Sequence, residues 1–207
     1  KVADEDTTIY LFGTVHVLPE GIEWYDGDIA AALESADTLV TEIPADAMKD
    51  PAFQGSIMQK AMLPEGETLR GILSDDDRAV YEAALGKLGM PPGAFDRFEP
   101  WFAGMTLAVL PLVQKGYNPE SGVEEIVEAA ASKTAQRGAL ETVDQQIDLF
   151  DTLPRDSQIE FLMSSARDLD GLVKMMDEMV AEWLEGDADG LAVLLRQQHA
   201  RWWLWPG

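Results

Sequence analysis

Three side chains that can do acid–base or metal chemistry fall at, or just past, the ends of predicted strands: His16, Glu42 and Glu141. An imidazole and carboxylates that meet can serve as a general base with its orienting partner, or as ligands of one metal ion. One nitrogen and two oxygens suit manganese, cobalt, iron or zinc. We therefore predict that these three residues form one site, for either metal-assisted hydrolysis or plain general-base catalysis.

The expectation that they meet comes from Thr7–Pro44, which predicts a strand, a loop, a helix and a second strand. Parallel strands of such a unit end at the same edge of the sheet. Open α/β sheets bind ligands outside the carboxyl ends of their strands. His16 follows the first strand, Glu42 ends the second, and a short third strand is predicted to end at Glu141. The predicted strands of this sheet are Ile9–Thr14, Thr38–Glu42 and Ala139–Glu141.

Helical spacing of apolar residues covers most of the remaining chain. The predicted helices are Asp28–Ser35, Asp46–Lys49, Phe53–Leu63, Asp75–Leu88, Trp101–Gln114, Val123–Ala131, Val143–Phe150, Ser157–Ala166, Leu169–Glu185 and Asp187–His199. Trp101–Gln114 is apolar on nearly all sides, which is typical of a buried helix. The sequence thus predicts an α/β fold dominated by helices, with a small, mostly parallel or mixed central sheet in a single domain over residues 1–207.

The composition is that of a folded and strongly acidic protein. Lysine and arginine total 15 against 38 aspartates and glutamates, a net charge of −23, while 46% of the residues are apolar. Such a surface repels phosphate backbones and anionic lipid, which excludes nucleic acid as a partner, and it tolerates a cationic substrate or a divalent metal. No apolar run is long enough to predict a membrane span. The absence of cysteine excludes disulfides and thiol chemistry.

The sequence has no HExxH motif, phosphate-binding P-loop, GxGxxG motif or GxSxG nucleophile elbow. Each predicted site residue also has a structural alternative. His16 can be a hydrogen-bonding residue at a strand end, Glu42 a solvated acid, and Glu141 a capping carboxylate for the following helix. Two weaker site candidates are Glu124, in the first turn of a predicted helix, and Arg97.

The same stretch also carries a resemblance to a known family. GTVH at residues 13–16 and ADTLVTEIP at residues 36–44 resemble the opening of the TraB/GumN family, whose animal relatives include the Tiki metalloproteases. The resemblance covers most of the chain in the same order. Its further segments are GMTLAV (Gly104–Val109), SGVE (Ser121–Glu124), LETVDQQIDLFDTLP (Leu140–Pro154) and AEWLEGD (Ala181–Asp187).

The resemblance implies a metal-dependent hydrolase of peptide, amide or ester bonds, using manganese, cobalt or zinc on a small-molecule or peptide substrate. It leaves two alternatives open. One is a non-catalytic binding or regulatory protein associated with pheromone peptides or polysaccharides. The other is a haem-binding relative with His16 or Tyr117 as the axial ligand.

Two further expectations concern the ends of the sequence. Family members usually carry an export signal, so we expect a periplasmic or extracellular protein whose signal has been removed before Lys1, with a cytoplasmic location still open. Members also continue into a strand with a second glycine-x-x-histidine motif. His199 has no glycine three residues before it, so we expect either a sequence truncated at its C-terminus or a member that has lost this part of the site. We expect His199 to be a histidine at the surface or at a helix end.

Overall fold

The structure, a computed structural model, describes residues 1–44, 47 and 50–199. It divides into two compact units. The first contains Lys1–Met48 and Gly116–Val143, and the second contains Lys49–Lys115 and Asp144–Gly207. The first unit holds the described strands and the three predicted site residues, whereas the second is helical.

Helices dominate the described part of the chain, as the sequence predicts. They are α1 (Gly27–Glu34), α2 (Pro51–Lys60), α3 (Leu69–Ile72), α4 (Asp75–Lys87), α5 (Pro100–Gln114), α6 (Val123–Ala130), α7 (Val143–Asp151), α8 (Arg155–Arg167), α9 (Leu169–Glu185) and α10 (Ala188–His199). The helix predicted at Asp46–Lys49 lies outside the described residues except for Ala47. Within those residues, no helix has both the length and the apolar composition that crossing a bilayer requires.

The core of the second unit forms where α5 packs on α8. The predicted burial of α5 holds for most of the helix, since Trp101 is 1% exposed and Leu107 is fully buried. It fails near the C-terminal end, where Val109 and Val113 are exposed. Gly104 lets the two helices approach closely, because a Cβ at that position would lie 2.8 Å from the ring of Phe161. Leu162 on the facing helix is likewise fully buried. Burial of apolar side chains along this contact stabilises the helical unit.

The strands of the first unit are short and form three separate two-stranded ladders. They are β1 (Val2–Ala3), β2 (Thr8–Ile9), β3 (Leu18–Pro19), β4 (Thr38–Thr41), β5 (Tyr117–Asn118) and β6 (Gln136–Ala139). The ladder of β4 and β6 is parallel, with Thr41 opposite Ala139, while the other two are antiparallel. The α/β class is confirmed, and the second predicted strand does pair in parallel with a strand near the third. That strand lies earlier than predicted, however, since β6 shares only Ala139 with the predicted Ala139–Glu141.

The prediction that Ile9–Thr14 is a strand of that same sheet is wrong. Only its first residue is in a strand, β2, which pairs with β1. The acidic lead supplies the reason, because Asp4 forms a turn that directs the chain back along itself. Its backbone N–H donates to the Thr7 carbonyl oxygen at 3.0 Å, and its carboxylate accepts from the Thr7 N–H at 2.8 Å. The run beyond β2 is irregular and exposed, with Leu11 77% accessible.

Candidate functional site

The backbone of His16 is held between buried neighbours, while its side chain reaches solvent. Val15 on one side is 8% exposed, and Leu18 on the other is 1% exposed. Leu18 belongs to β3, whose ladder with β5 places Pro19 opposite the buried Tyr117. The imidazole itself is 70% exposed. The local sequence therefore fixes the loop and leaves the ring accessible to a ligand.

The start of α6 is fastened directly to this loop. The Val123 N–H donates to the Val15 carbonyl oxygen at 3.0 Å, and the Val123 side chain is fully buried. Gly122, which precedes the helix, lies so close that a Cβ on it would stand 2.3 Å from the carbonyl oxygen of His16. We call this arrangement of Val15, His16, Gly122 and Val123 the backbone clasp. It brings the first turn of α6 next to the imidazole.

That first turn contributes Glu124 to the site. Its Oε1 lies 2.8 Å from His16 Nδ1, and the Glu124 side chain is 26% exposed. Oε1 is enclosed by protein and receives no well-directed hydrogen bond from the described residues. The positive charge of the nearby imidazole therefore compensates for the cost of burying this oxygen. The contact is best described as an ion pair.

Glu42 approaches the opposite side of the ring, just past the end of β4. Its Oε2 lies 3.8 Å from His16 Nε2, and its side chain is 48% exposed. This separation is too long for a hydrogen bond. Two ligands held about 2.1 Å from one tetrahedral ion stand about 3.4 Å apart, so a small rotation of either side chain fits both atoms to one metal. The pair therefore fits two positions of a coordination sphere.

The charges around the ring favour an imidazolium. The contact with the Glu124 carboxylate raises the pKa of His16, burial opposes that rise, and the charge of Glu42 adds to it. For Glu124, burial alone would raise the pKa, but the close contact with His16 and the interaction with Thr14 outweigh it and lower the pKa. Solvent screens part of these effects, because the imidazole is largely exposed. A metal bound at Nε2 must displace a proton from this ring.

Glu141 reaches the same end of the parallel ladder through its backbone. Its N–H donates to the Glu42 carbonyl oxygen at 2.9 Å, one residue after Leu140 makes a similar bond to Thr41. Its side chain is exposed, and among the described residues no ion pair joins it to His16. Among the described residues, no group of three or more histidine, cysteine, aspartate or glutamate side chains is placed so that it could hold a metal ion. A ligand role for Glu141 stays a prediction.

Arg97 and Tyr117 are the remaining candidates. Arg97 belongs to the second unit, where its guanidinium donates to the Glu67 carbonyl oxygen at 3.4 Å. Tyr117 is 4% exposed. The residue that the sequence undervalued is Glu124. The signal that points to it is a glycine two positions before a carboxylate at a helix start, because that glycine permits close approach to another backbone.

Comparison with known proteins agrees with the resemblance read from the sequence. No curated protein and no solved structure matches the chain. The model of the TraB/PrgY/gumN family matches residues 1–202, a span that includes both arms of the backbone clasp as well as His16, Glu42 and Glu124. This chain belongs to the TraB/PrgY/gumN family.

Proposed function

We propose that this protein is a metal-dependent hydrolase of peptide, amide or ester bonds. The observation that carries the proposal is the approach of His16 Nε2 to Glu42 Oε2 at 3.8 Å, with His16 Nδ1 already engaged by Glu124. A metal-ligating histidine typically has a carboxylate beside its other ring nitrogen, and here Glu124 Oε1 lies 2.8 Å from His16 Nδ1. Glu141, at the same end of the parallel ladder, is the proposed third ligand.

In this proposal, each residue has a distinct role. His16 and Glu42 hold the ion, which when bound supplies Lewis acidity and lowers the pKa of water. Glu124, whose Oε1 lies 2.8 Å from His16 Nδ1, would hold the ring in position. The exposed edge of the imidazole and the exposed Glu42 carboxylate leave one side of the site open to a substrate. The strong negative charge of the protein favours a neutral or cationic substrate, such as a small molecule or a peptide.

The test is hydrolysis by protein that has been freed of metal with a chelator and reloaded with Mn²⁺, Co²⁺ or Zn²⁺. A panel of chromogenic peptides, amides and esters serves as substrate. We expect turnover to require metal, to be lost in His16→Ala and Glu42→Gln, and to survive in Glu34→Gln, which removes an exposed carboxylate in α1. Turnover that is equal in the His16→Ala variant would overturn the proposal.

A non-catalytic binding protein is the competing function, and one observation favours it. His16 is 70% exposed and Glu42 is 48% exposed, whereas enzyme active sites usually shield their reacting groups from bulk water. Specific metal binding without turnover of any substrate in the panel would support this alternative. For the haem-binding alternative, Tyr117 is a poorer axial ligand than His16, because Tyr117 is buried. A Soret band after haem addition that is lost in His16→Ala would support it through His16.

We also propose that the protein is exported to the periplasm or beyond the cell. The support is the family resemblance together with the absence of cysteine. Fractionation of cells that express the complete gene tests the location. Product found solely in the cytoplasm would contradict export, and it would leave the proposed chemistry untouched.

A further inference from the structure

We propose that Glu124 is a positioning residue that holds the neutral His16 ring in the tautomer protonated at Nδ1, so that the Nε2 lone pair faces Glu42. Its consequence for metal binding rests on the proposed function. The positioning itself is a property of the metal-free protein. A separate measurement on the metal-free protein therefore tests it.

The first step of the argument is the contact between the two side chains. Glu124 Oε1 and His16 Nδ1 are 2.8 Å apart. An ionised carboxylate has no proton to donate, so this close contact is attractive when Nδ1 carries the proton and repulsive when Nδ1 presents a lone pair. Which nitrogen of a histidine carries the proton is set by the partner of the other nitrogen. Here that rule leaves Nε2 unprotonated when the ring is neutral.

The second step is that the backbone, rather than two flexible side chains alone, sets this contact. The backbone clasp fixes the α6 start against the His16 loop through the Val123 N–H and the Val15 carbonyl oxygen, 3.0 Å apart. The two segments lie so close together that no side chain would fit at Gly122. Glu124 is the second residue of α6, so its short distance from the fastened backbone limits the positions that its carboxylate can take.

The third step is what the opposite tautomer would do. In the opposite tautomer, the proton on Nε2 would face Glu42 Oε2, but at 3.8 Å, a separation too long for a hydrogen bond. That tautomer would also leave the enclosed Oε1 of Glu124 facing the lone pair of Nδ1 at 2.8 Å, with no well-directed donor among the described residues. Repulsion at the closer, more buried contact outweighs the attraction of the more exposed Glu42, so the opposite tautomer is disfavoured. Glu125, the neighbouring carboxylate of the same turn, is exposed and provides a matched control.

The experiment is proton–nitrogen correlation NMR of the ¹⁵N-labelled, metal-free protein, at a pH high enough for the ring to be neutral. The chain has two histidines, so the His16 signals are those lost in His16→Ala. We expect the Nδ1-protonated form to predominate in the wild-type protein and in Glu125→Ala. In Glu124→Ala it should give way to the Nε2-protonated form. Glu124→Met, which keeps the length of the side chain, should behave in the same way if the alanine variant folds poorly.

Two results would overturn the proposal. One is a wild-type ring protonated mainly at Nε2, a measurement that needs no variant to fold. The other is a folded Glu124 variant that keeps the wild-type tautomer. A purely structural role for Glu124 would lower the melting temperature without moving the tautomer signals, so the two roles separate.

A Zn²⁺ titration separates this proposal from the proposed function. Loss of a partner for a metal-ligating histidine typically costs about 10–100-fold in metal affinity, and we expect a loss of that size in Glu124→Met and none in Glu125→Ala. The Nδ1-protonated tautomer in a protein that binds no metal would support positioning and contradict the metal site. Specific metal binding by a protein whose ring is protonated at Nε2 would support the metal site and contradict the positioning role.

Discussion

Gly122 faces the carbonyl oxygen of His16 so closely that a Cβ on the glycine would lie 2.3 Å from that oxygen. The backbone φ of Gly122 is −58°, an ordinary value, so the position requires glycine for space and not for conformation. The consequence reaches the site, because the same contact holds the α6 start and Glu124 beside the imidazole.

We expect Gly122→Ala to lower the free energy of unfolding by about 1–3 kcal/mol, the usual cost of forcing an extra carbon into a packed position. Urea unfolding measures the change. The control is Gly86→Ala in α4, where a Cβ meets nothing within 4 Å. It should stabilise the protein by up to about 1 kcal/mol, because alanine is the better helix former. A neutral effect of Gly122→Ala would contradict the close approach.

The stability contributed by the pair of His16 and Glu124 should depend on pH in a bell-shaped way. His16 has a folded-state pKa raised above its ordinary value of 6.5. Its contribution is therefore fully present below about 6.5 and is lost as the pH rises through the raised value. Glu124 has a folded-state pKa lowered below its ordinary 4.5. Its contribution is present above about 4.5 and is lost as the pH falls through the lowered value.

The measurement for this pH dependence is the difference in unfolding free energy between the wild-type protein and His16→Gln across pH 3 to 9, a range of roughly 6 units chosen to bracket both transitions. The difference cancels the titration of the many other carboxylates. We expect it to be largest between the two ordinary pKa values and to shrink on both sides. A difference that grows with pH above neutrality would show that the sign of the His16 shift is wrong.

The contact between α5 and α8 should carry much of the stability of the helical unit. Leu162 is fully buried there, whereas Leu140 in the first unit is 77% exposed. We expect Leu162→Ala to cost about 2–5 kcal/mol, as deletion of a buried leucine usually does. Leu140→Ala should change the stability by no more than about 0.5 kcal/mol. Thermal unfolding of both variants, compared at one temperature, measures the two effects, and similar losses would contradict the packing.

The sequence predicted the helices well because apolar spacing and local capping determine them. Ser74, for example, is an N-cap whose hydroxyl accepts from the Asp77 N–H at 3.1 Å. The parallel pair of β4 and β6 was predictable in part. The β-branched run of β4 indicated its strand, whereas the sequence of β6, Gln-Arg-Gly-Ala, is mostly polar, and its strand was predicted three residues too late. The first strand was not. Its apolar run suggested a buried strand, but the Asp4 turn pairs its start with β1 instead.

The site was predicted in part. The sequence predicted that the loop containing His16 and the end of the strand before Glu42 lie near one another, and the two side chains do approach. The contact of His16 with Glu124 depends on a packing distance between residues over a hundred positions apart, and only the space left by Gly122 permits it. A single sequence records that glycine but not what it faces. Glu124 was therefore ranked below Glu141, whose side-chain role no contact yet supports.

The central claim, that His16 and Glu42 hold a divalent metal, is tested most directly by isothermal titration of the metal-free protein with Zn²⁺ and Mn²⁺. With a net charge of −23, the surface will also bind divalent ions weakly, so each variant is compared with Glu34→Gln. The account predicts one specific site in the wild-type protein and in Glu34→Gln, lost in His16→Ala and weakened in Glu42→Gln. Equal affinities in all four proteins would contradict it.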